Sequence, residues 1–423
     1  MLLSNFNVIF KIIKDKNVRL QFQQIKRMIK NDKLFSTFKM LKLAFKFLSR
    51  DKLIFYRGIY YINFAFPIFP SKAFMTYLNS ARDKNNILSS HAFCKKTAPL
   101  TICLTITTKC NYNCYYCGSK DKNKTDISTK DWKKIIADLQ NMNTPIILFT
   151  GGEPLLHPDL EELCQCVTDK SLLYILTTGD GLTLERAKRL KKCGVFGLGI
   201  SLTSCDESLD IENRKHSKCY KNAIAAIKYS IQAGLFTTVI TVIPRNKLNE
   251  EKIFDFFAFL EGLGVQEVVL KEPIKTGRLL QDHHDGIYYI TKKEKKVLLD
   301  LQKKANKKFK NLLITTELLF ACKESFGCAA GLQHSAINTN GDLTPCDFCP
   351  ISFGNVQEEP LNDLWIKMAD TINIPFNDCL QMIIYPELVG QEIPLTPEKT
   401  YKIIDKYKNE NVNFPDIYKD MQK

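Results

Sequence analysis

Three cysteines within eight residues constrain this chain more than any other feature: Cys110-Asn-Tyr-Asn-Cys114-Tyr-Tyr-Cys117, directly after a short apolar run at 101–106. Spaced by three residues and then two, the thiols can turn inward from one tight loop and bind three corners of an iron–sulfur cube. The fourth iron is then left without a protein ligand, and an open iron is where a small molecule can be chelated and receive an electron. Two other readings of the same residues stand beside this one, a structural zinc loop and a chance cluster.

Length and cysteine usage frame that loop. A chain of 423 residues is long for one domain and comfortable for two or three. Fifteen cysteines without a cleavable signal pattern fit a reducing, cytoplasmic compartment, where thiols serve metals rather than disulfides. The net charge of +15 is unevenly placed: residues 1–97 carry 19 Lys and Arg against 4 Asp and no Glu, so the remainder is neutral. The basic character therefore bears on the N-terminal segment's surroundings and not on the catalytic part.

Within that segment, Phe35 to Arg50 reads as a basic amphipathic helix, with Lys39, Lys42, Lys46 and Arg50 on one side and Met40, Leu41, Ala44, Phe45, Phe47 and Leu48 on the other. The next stretch, Leu53 to Pro70, is apolar and aromatic but interrupted by Arg57, Gly58, Pro67 and Pro70, too short and broken to span a bilayer. Three readings follow: a helical cap on the catalytic part, peripheral membrane contact through residues 1–70, or binding of an acidic peptide or nucleic acid. No recognised nucleic-acid-binding motif occurs there, so nucleic acid is not expected as a partner.

From about residue 99 short apolar runs alternate with amphipathic stretches. Runs at 101–107, 145–150, 172–178, 195–202, 236–243 and 265–272 predict strands, with helices near 128–142, 157–168, 183–193, 219–233 and 249–263 between them. Six such β-α steps imply a parallel sheet.

Several motifs punctuate those steps. Phe149-Thr150-Gly151-Gly152-Glu153-Pro154 ends the second run, Thr177-Thr178-Gly179 the third and Ser201-Leu202-Thr203 the fourth; Asn213-Arg214-Lys215 precedes a helix, and Glu272-Pro273-Ile274-Lys275-Thr276-Gly277-Arg278 follows the sixth run. Glycines let backbone approach a ligand closely, and an acid beside them can accept hydrogen bonds from an ammonium group. With the cysteine loop and the aromatic Tyr116 before its last thiol, this set resembles the signature of the radical S-adenosylmethionine (SAM) superfamily. The resemblance implies an α/β fold, the open, TIM-like (β/α)6 partial barrel, with chemistry at the C-terminal ends of its strands. It implies a 4Fe–4S cluster on Cys110, Cys114 and Cys117 whose open iron holds SAM, and cleavage of SAM to a 5′-deoxyadenosyl radical that abstracts a hydrogen atom. It further implies Gly151, Gly152 and Glu153 at the SAM amino group, Ser201 at the ribose and Arg214 paired with the carboxylate. Gly179 stands where the family pattern has Asn, and Thr203 where it has an acid.

A helix at 291–309 leads to a second cysteine set, Cys322, Cys328, Cys346, Cys349 and Cys379. Between them runs a hairpin signal, Ala336 to Cys346 with Asn340-Gly341 at its turn, and then a short helix from Leu361 to Met368 with Trp365. This resembles the SPASM/twitch extension, which implies an auxiliary 4Fe–4S cluster. Five thiols for four positions give one cluster, with Cys349 or Cys379 as the fourth ligand; zinc is the alternative. Cys164, Cys166, Cys193, Cys205 and Cys219 are scattered and are assigned to no cluster.

The expected organisation is a basic helical segment at 1–97, a radical SAM core at 98–310 and an auxiliary-cluster extension with C-terminal helices at 311–423. The expected activity is hydrogen abstraction from a peptide or protein, fed by an electron donor such as flavodoxin or ferredoxin. A small-molecule, lipid or other membrane-associated substrate is the alternative within enzymes, and a non-catalytic iron–sulfur electron carrier the alternative outside them.

Overall fold

A computed structural model describes residues 14–30, 51–118, 126–281, 285–317 and 326–410, with positions 8, 11, 12 and 32 beside them. The N-terminal part consists of helix α1 (Lys16–Met28), a hairpin of β1 (Ile54–Tyr56) and β2 (Ile59–Tyr61), and helices α2 (Lys72–Asn79) and α3 (Ile87–Ala92). The basic helix expected at 35–50 lies outside the described residues.

Seven strands then run parallel, β3 (Thr101–Thr105), β4 (Ile146–Thr150), β5 (Leu172–Thr177), β6 (Val195–Ser201), β7 (Phe236–Val242), β8 (Glu267–Lys271) and β9 (Leu313–Thr316). Their crossovers carry α4 (Thr129–Asn141), α5 (Leu160–Cys166), α6 (Leu184–Lys192), α7 (Glu207–Arg214), α8 (Cys219–Gln232), α9 (Glu250–Leu263) and α10 (Lys292–Lys308). Strands covered on both faces need apolar residues at nearly every position. Ile-Ile-Leu-Phe of β4 and Leu-Leu-Tyr-Ile of β5 are buried throughout. The outer face packs on the helices through Ile102, Leu104, Ile147, Phe149 and Ile175, while Cys103, Ile146, Leu148, Tyr174 and Phe236 belong to a separate inner cluster.

The sheet is larger than the six strands expected. β9 extends it beyond β8, and β10 (His334–Ile337) from the C-terminal extension adds to the opposite side, parallel to β3 with His334 opposite Thr101 and Ala336 opposite Cys103. β11 (Leu343–Thr344) folds back on β10 through the expected Asn340-Gly341 turn. The strand order 11-10-3-4-5-6-7-8-9 leaves the barrel open between β11 and β9. The sheet thus continues across the expected boundary at 310/311. A run of only four residues is too short for periodicity to distinguish, which is why β9 escapes the sequence reading, while the hairpin of β10 and β11 is expected but not its pairing with β3.

Residues 53–69 close the N-terminal end of the barrel. Arg57 and Gly58, which interrupt the apolar stretch, form the hairpin turn with φ +46° and +88°. Tyr61 O–H donates to Glu267 Oε2 at 2.6 Å and Phe64 N–H to Glu267 Oε1 at 3.1 Å. The Tyr61 ring lies 4.4 Å from Phe236 and the Phe64 ring 5.0 Å from Tyr174. The aromatic stretch is therefore a plug under the strands, while Phe55 on it and Leu20 and Phe22 on α1 stay exposed. No helix among the described residues is long and apolar enough to cross a membrane.

Beyond β11 come α11 (Leu361–Ile372), α12 (Leu380–Leu388) and α13 (Pro397–Glu410). Trp365 of α11 is buried against the core, its indole N–H donating to Lys96 O at 3.2 Å.

Candidate active site at the C-terminal ends of the strands

The loop after β3 carries Cys110, Cys114 and Cys117, each half-buried, and backbone contacts hold it at both ends. At its start Gly152 N–H donates to Thr107 O at 2.8 Å and Glu153 N–H to Lys109 O at 2.7 Å. A Cβ on Gly151, whose φ is +148°, would sit 2.4 Å from Thr107 O, and one on Gly152 would sit 2.2 Å from Lys109 O. Only glycine fits either place. The close approach expected of this pair to a ligand is thus, in the structure, an approach to the cysteine loop itself. At its other end Arg278 N–H donates to Cys117 O at 3.1 Å. Gly277, with φ +53°, leaves no room for a Cβ, which would lie 2.4 Å from the carbonyl oxygens of both Cys117 and Gly118. Midway, Tyr115 N–H donates to Asn213 O at 3.3 Å and Cys114 Sγ to Arg214 O at 3.6 Å.

Burial pushes the Cys114 thiol up to about 11, with Arg214 opposing and Cys117 and Cys110 reinforcing the shift, so the three sulfurs feel one another. Iron bound there would displace those protons. A single zinc ion with bonds of about 2.3 Å would bring its sulfurs to roughly 3.8 Å of one another. Among the described residues no three cysteines converge that tightly, and the one trio of ligand atoms within 4.8 Å lies elsewhere. Cysteines bound to the corners of a cube stand further apart than that, so three thiols on one loop that are not drawn to single-ion spacing are compatible with a cube.

Two expected SAM contacts have other partners. Arg214 is fully buried and turned into the protein. Its Nη1 donates to Asp210 Oδ2 at 3.2 Å and Cys219 O at 3.3 Å, its Nη2 to Thr178 O at 3.2 Å, and its guanidinium lies 5.0 Å from the Tyr112 ring of the cysteine loop. Asp210, one turn earlier on α7, captures it. Arg214 thus braces the loop instead of presenting a fork to a carboxylate. Asp210 also accepts from Thr203 N–H and Oγ1–H, each at 2.8 Å, so the acid missing at Thr203 is supplied from seven residues on. The sequence reading passes over Asp210; its signal is the Asp-to-Arg spacing of four on a helix.

Glu153 is also buried. Its Oε1 accepts from Leu155 N–H at 2.9 Å and Thr177 Oγ1–H at 2.6 Å, and its Oε2 from Thr178 N–H at 2.6 Å and Oγ1–H at 2.5 Å. Four donors fill the acceptor positions of a carboxylate. Glu153 therefore ties the end of β4 to the end of β5, leaving no lone pair for an ammonium group. Ser201 is half-buried at the end of β6.

Inside the barrel a cavity of about 500 Å³ opens between its inner face, the N-terminal plug around Phe64 and the extension. Leu148 and Leu176 line it, with Lys271 and Glu272 at the end of β8. Lys271 pairs with Glu317 at 2.6 Å, and Glu272 with Lys295 at 3.3 Å. Burial, outweighing Lys295, lifts the Glu272 carboxyl to about 7.

Cys328, Cys346, Cys349 and Cys379 line the same cavity; Cys322 lies outside the described residues. Cys328 is fixed by a bridge to Phe376, Cys346 and Cys349 bridge one another after β11, and Cys379 precedes α12. Burial raises the Cys346 and Cys349 thiols, and Cys379, itself raised by Cys328 beside it, adds to both shifts. None of the fourteen described cysteines is in a disulfide.

Comparison with known proteins follows this geometry. A family model described as the radical SAM superfamily matches residues 104–257, and the SPASM model, an iron–sulfur cluster-binding domain, matches 328–377. The AdoMet-dependent heme synthase of Methanosarcina barkeri is 25% identical over 293 residues, covering 63% of this chain and 82% of the relative. The PqqA peptide cyclase of Bradyrhizobium diazoefficiens is 28% identical over 156 residues, 36% of this chain and 41% of the relative. The crystal structure of Streptococcus suis SuiB bound to S-adenosylmethionine shares the fold, with a TM-score of 0.56 at 18% identity over 74% of this chain and 81% of that one.

Proposed function

We propose that this chain, which matches the radical SAM superfamily over residues 104–257 and the SPASM iron–sulfur domain over 328–377, cleaves SAM reductively and modifies a peptide or protein by hydrogen abstraction. The observation that carries this reading is the cysteine loop, clamped by Gly151 and Gly152 at one end and Gly277 at the other. When bound, the clusters and SAM supply electron transfer and a 5′-deoxyadenosyl radical that abstracts a hydrogen atom. Cys110, Cys114 and Cys117 hold the first cluster; Cys322, Cys328, Cys346 and Cys379 hold one auxiliary 4Fe–4S cluster, Cys379 being the thiol close to the most of its fellows. Ser201 faces SAM, the Gly151-Gly152 turn holds the cysteine loop in place, and Arg214 and Glu153 keep the rim rigid. Glu272, in the cavity with its carboxyl lifted to about 7, is poised to take a proton from a substrate near neutral pH.

Support for a peptide comes from proteins of like fold: SuiB is known bound to the precursor peptide SuiA, with a TM-score of 0.55, and anSMEcpe bound to AdoMet and a peptide, with 0.54. A second reading is a tetrapyrrole, since the heme synthase relative matches 63% of this chain against 36% for the peptide cyclase.

The test is anaerobic turnover with dithionite, flavodoxin or ferredoxin as electron donor. 5′-Deoxyadenosine should form, and deuterium should pass into it from a labelled peptide library. Deuterium arriving only from a labelled tetrapyrrole would select the second reading, and no 5′-deoxyadenosine with any donor would end both.

A further inference from the structure

We propose that Cys103, His334 and Asp347 form a mononuclear metal site inside the barrel, adjoining the second cysteine set, whose Cys346 Sγ donates to Asp347 Oδ1 at 3.2 Å, and suited to a divalent ion of the zinc type. The three residues come from separate elements that the sheet brings together. Cys103 faces inward from β3, His334 opens the neighbouring β10, and Asp347 follows β11. Cys103 Sγ lies 4.0 Å from His334 Nε2, Asp347 Oδ1 lies 3.2 Å from the same nitrogen, and all three ligand atoms fall within 4.8 Å of one another.

Convergence on one nitrogen decides between a metal and a proton relay. A thiol–imidazole–carboxylate relay uses both ring nitrogens, one accepting from the thiol and the other donating to the acid. Nε2 alone carries either a proton or a lone pair, so it cannot serve both neighbours at once. One ion at the centre satisfies all three. Zinc bonds of about 2.0–2.3 Å separate tetrahedral donor atoms by roughly 3.3–3.8 Å, a small adjustment from what is seen. A mixed sulfur, nitrogen and oxygen set selects zinc-like ions over calcium or magnesium.

The surroundings suit the ion. A thiolate and a carboxylate neutralise a divalent charge. Lys271, held at 2.6 Å by Glu317, is close enough to Asp347 to favour its charged form. Cys103, His334 and Asp347 all line the 500 Å³ cavity. Three protein ligands with the remaining position toward a cavity is the pattern of a metal that binds substrate, here through a carbonyl or hydroxyl oxygen.

The test is metal analysis of the full-length protein, isolated anaerobically from zinc-supplemented cells and washed with chelator. About one zinc per chain should remain beside the iron, and Cys103→Ser and His334→Ala should each lose it while circular dichroism and iron content stay unchanged. Cobalt substitution of the wild type should give a thiolate-to-cobalt absorption band, which keeps the proposal testable if either variant misfolds. It is overturned if the wild type retains no zinc, if folded variants keep it, or if the cobalt band is absent. Folded variants that lose iron instead would assign the three residues to the auxiliary cluster and equally overturn it. None of these readouts depends on SAM cleavage.

Discussion

The two cysteine sets are held in opposite ways. Cys110, Cys114 and Cys117 sit on one loop of eight residues, and backbone from two other loops fixes it at positions where no side chain fits. The four described cysteines of the second set come from residues 328 to 379 and are gathered by short bridges, a hairpin and the start of a helix. The first arrangement tolerates little displacement. The second can absorb local change, because each thiol is anchored separately.

Gly152→Ala should expose this contrast most strongly. Its Cβ would meet Lys109 O at 2.2 Å, shifting the loop, and misplacement of reacting groups by about 1 Å costs on the order of 100-fold in rate. Gly341→Ala, at φ +88° in the extension's hairpin, should cost roughly 1–2 kcal/mol of stability and leave 5′-deoxyadenosine formation within a few-fold. Equal losses of SAM cleavage in both variants would erase the contrast.

Removing Arg214 tests what braces the first loop. Arg214→Met leaves Asp210 buried without its partner, and breaking such a pair costs about 3–5 kcal/mol, to be read from urea unfolding. An unchanged unfolding midpoint with a raised KM for SAM would return Arg214 to the carboxylate.

The contrast also explains what the sequence disclosed. Motifs written locally were legible: the cysteine loop, the Gly-Gly turn, the Asn340-Gly341 hairpin and six strands within two residues of their observed ends. Relations between distant residues were not. That Gly277 closes on Cys117, that Asp210 takes Arg214, and that Cys103 meets His334 and Asp347 depend on which strands are neighbours. The role of Leu53 to Pro70 was hidden for the same reason, since aromatic residues under a barrel and aromatic residues at a membrane have one composition.

In the second set, Cys379→Ala should lower iron content while Cys349→Ala leaves it unchanged, because Cys379 is the thiol that lies near Cys328, Cys346 and Cys349 alike. The reverse pattern would make Cys349 the ligand and weaken the case that the set is gathered around the start of α12.

The smallest effect is expected at the plug. Burial lifts Glu267 to about 7 from 4.5, against the hydrogen bonds from Tyr61, Phe64, Thr315 and Thr238. The folded protein therefore holds this proton more tightly than the unfolded chain, so its contribution is fully present below pH 4.5 and is lost as pH rises through 7. Glu267→Gln should flatten that part of the stability profile without altering iron content. An unchanged slope would show that the plug does not rest on this carboxyl.

The claim that the clamped loop holds the SAM-cleaving cluster is tested most directly by iron content and 5′-deoxyadenosine formation in the Cys110→Ala, Cys114→Ala, Cys117→Ala triple variant. The account predicts a loss of about four irons per chain with the auxiliary iron retained and no 5′-deoxyadenosine; SAM cleavage undiminished in that variant would contradict it.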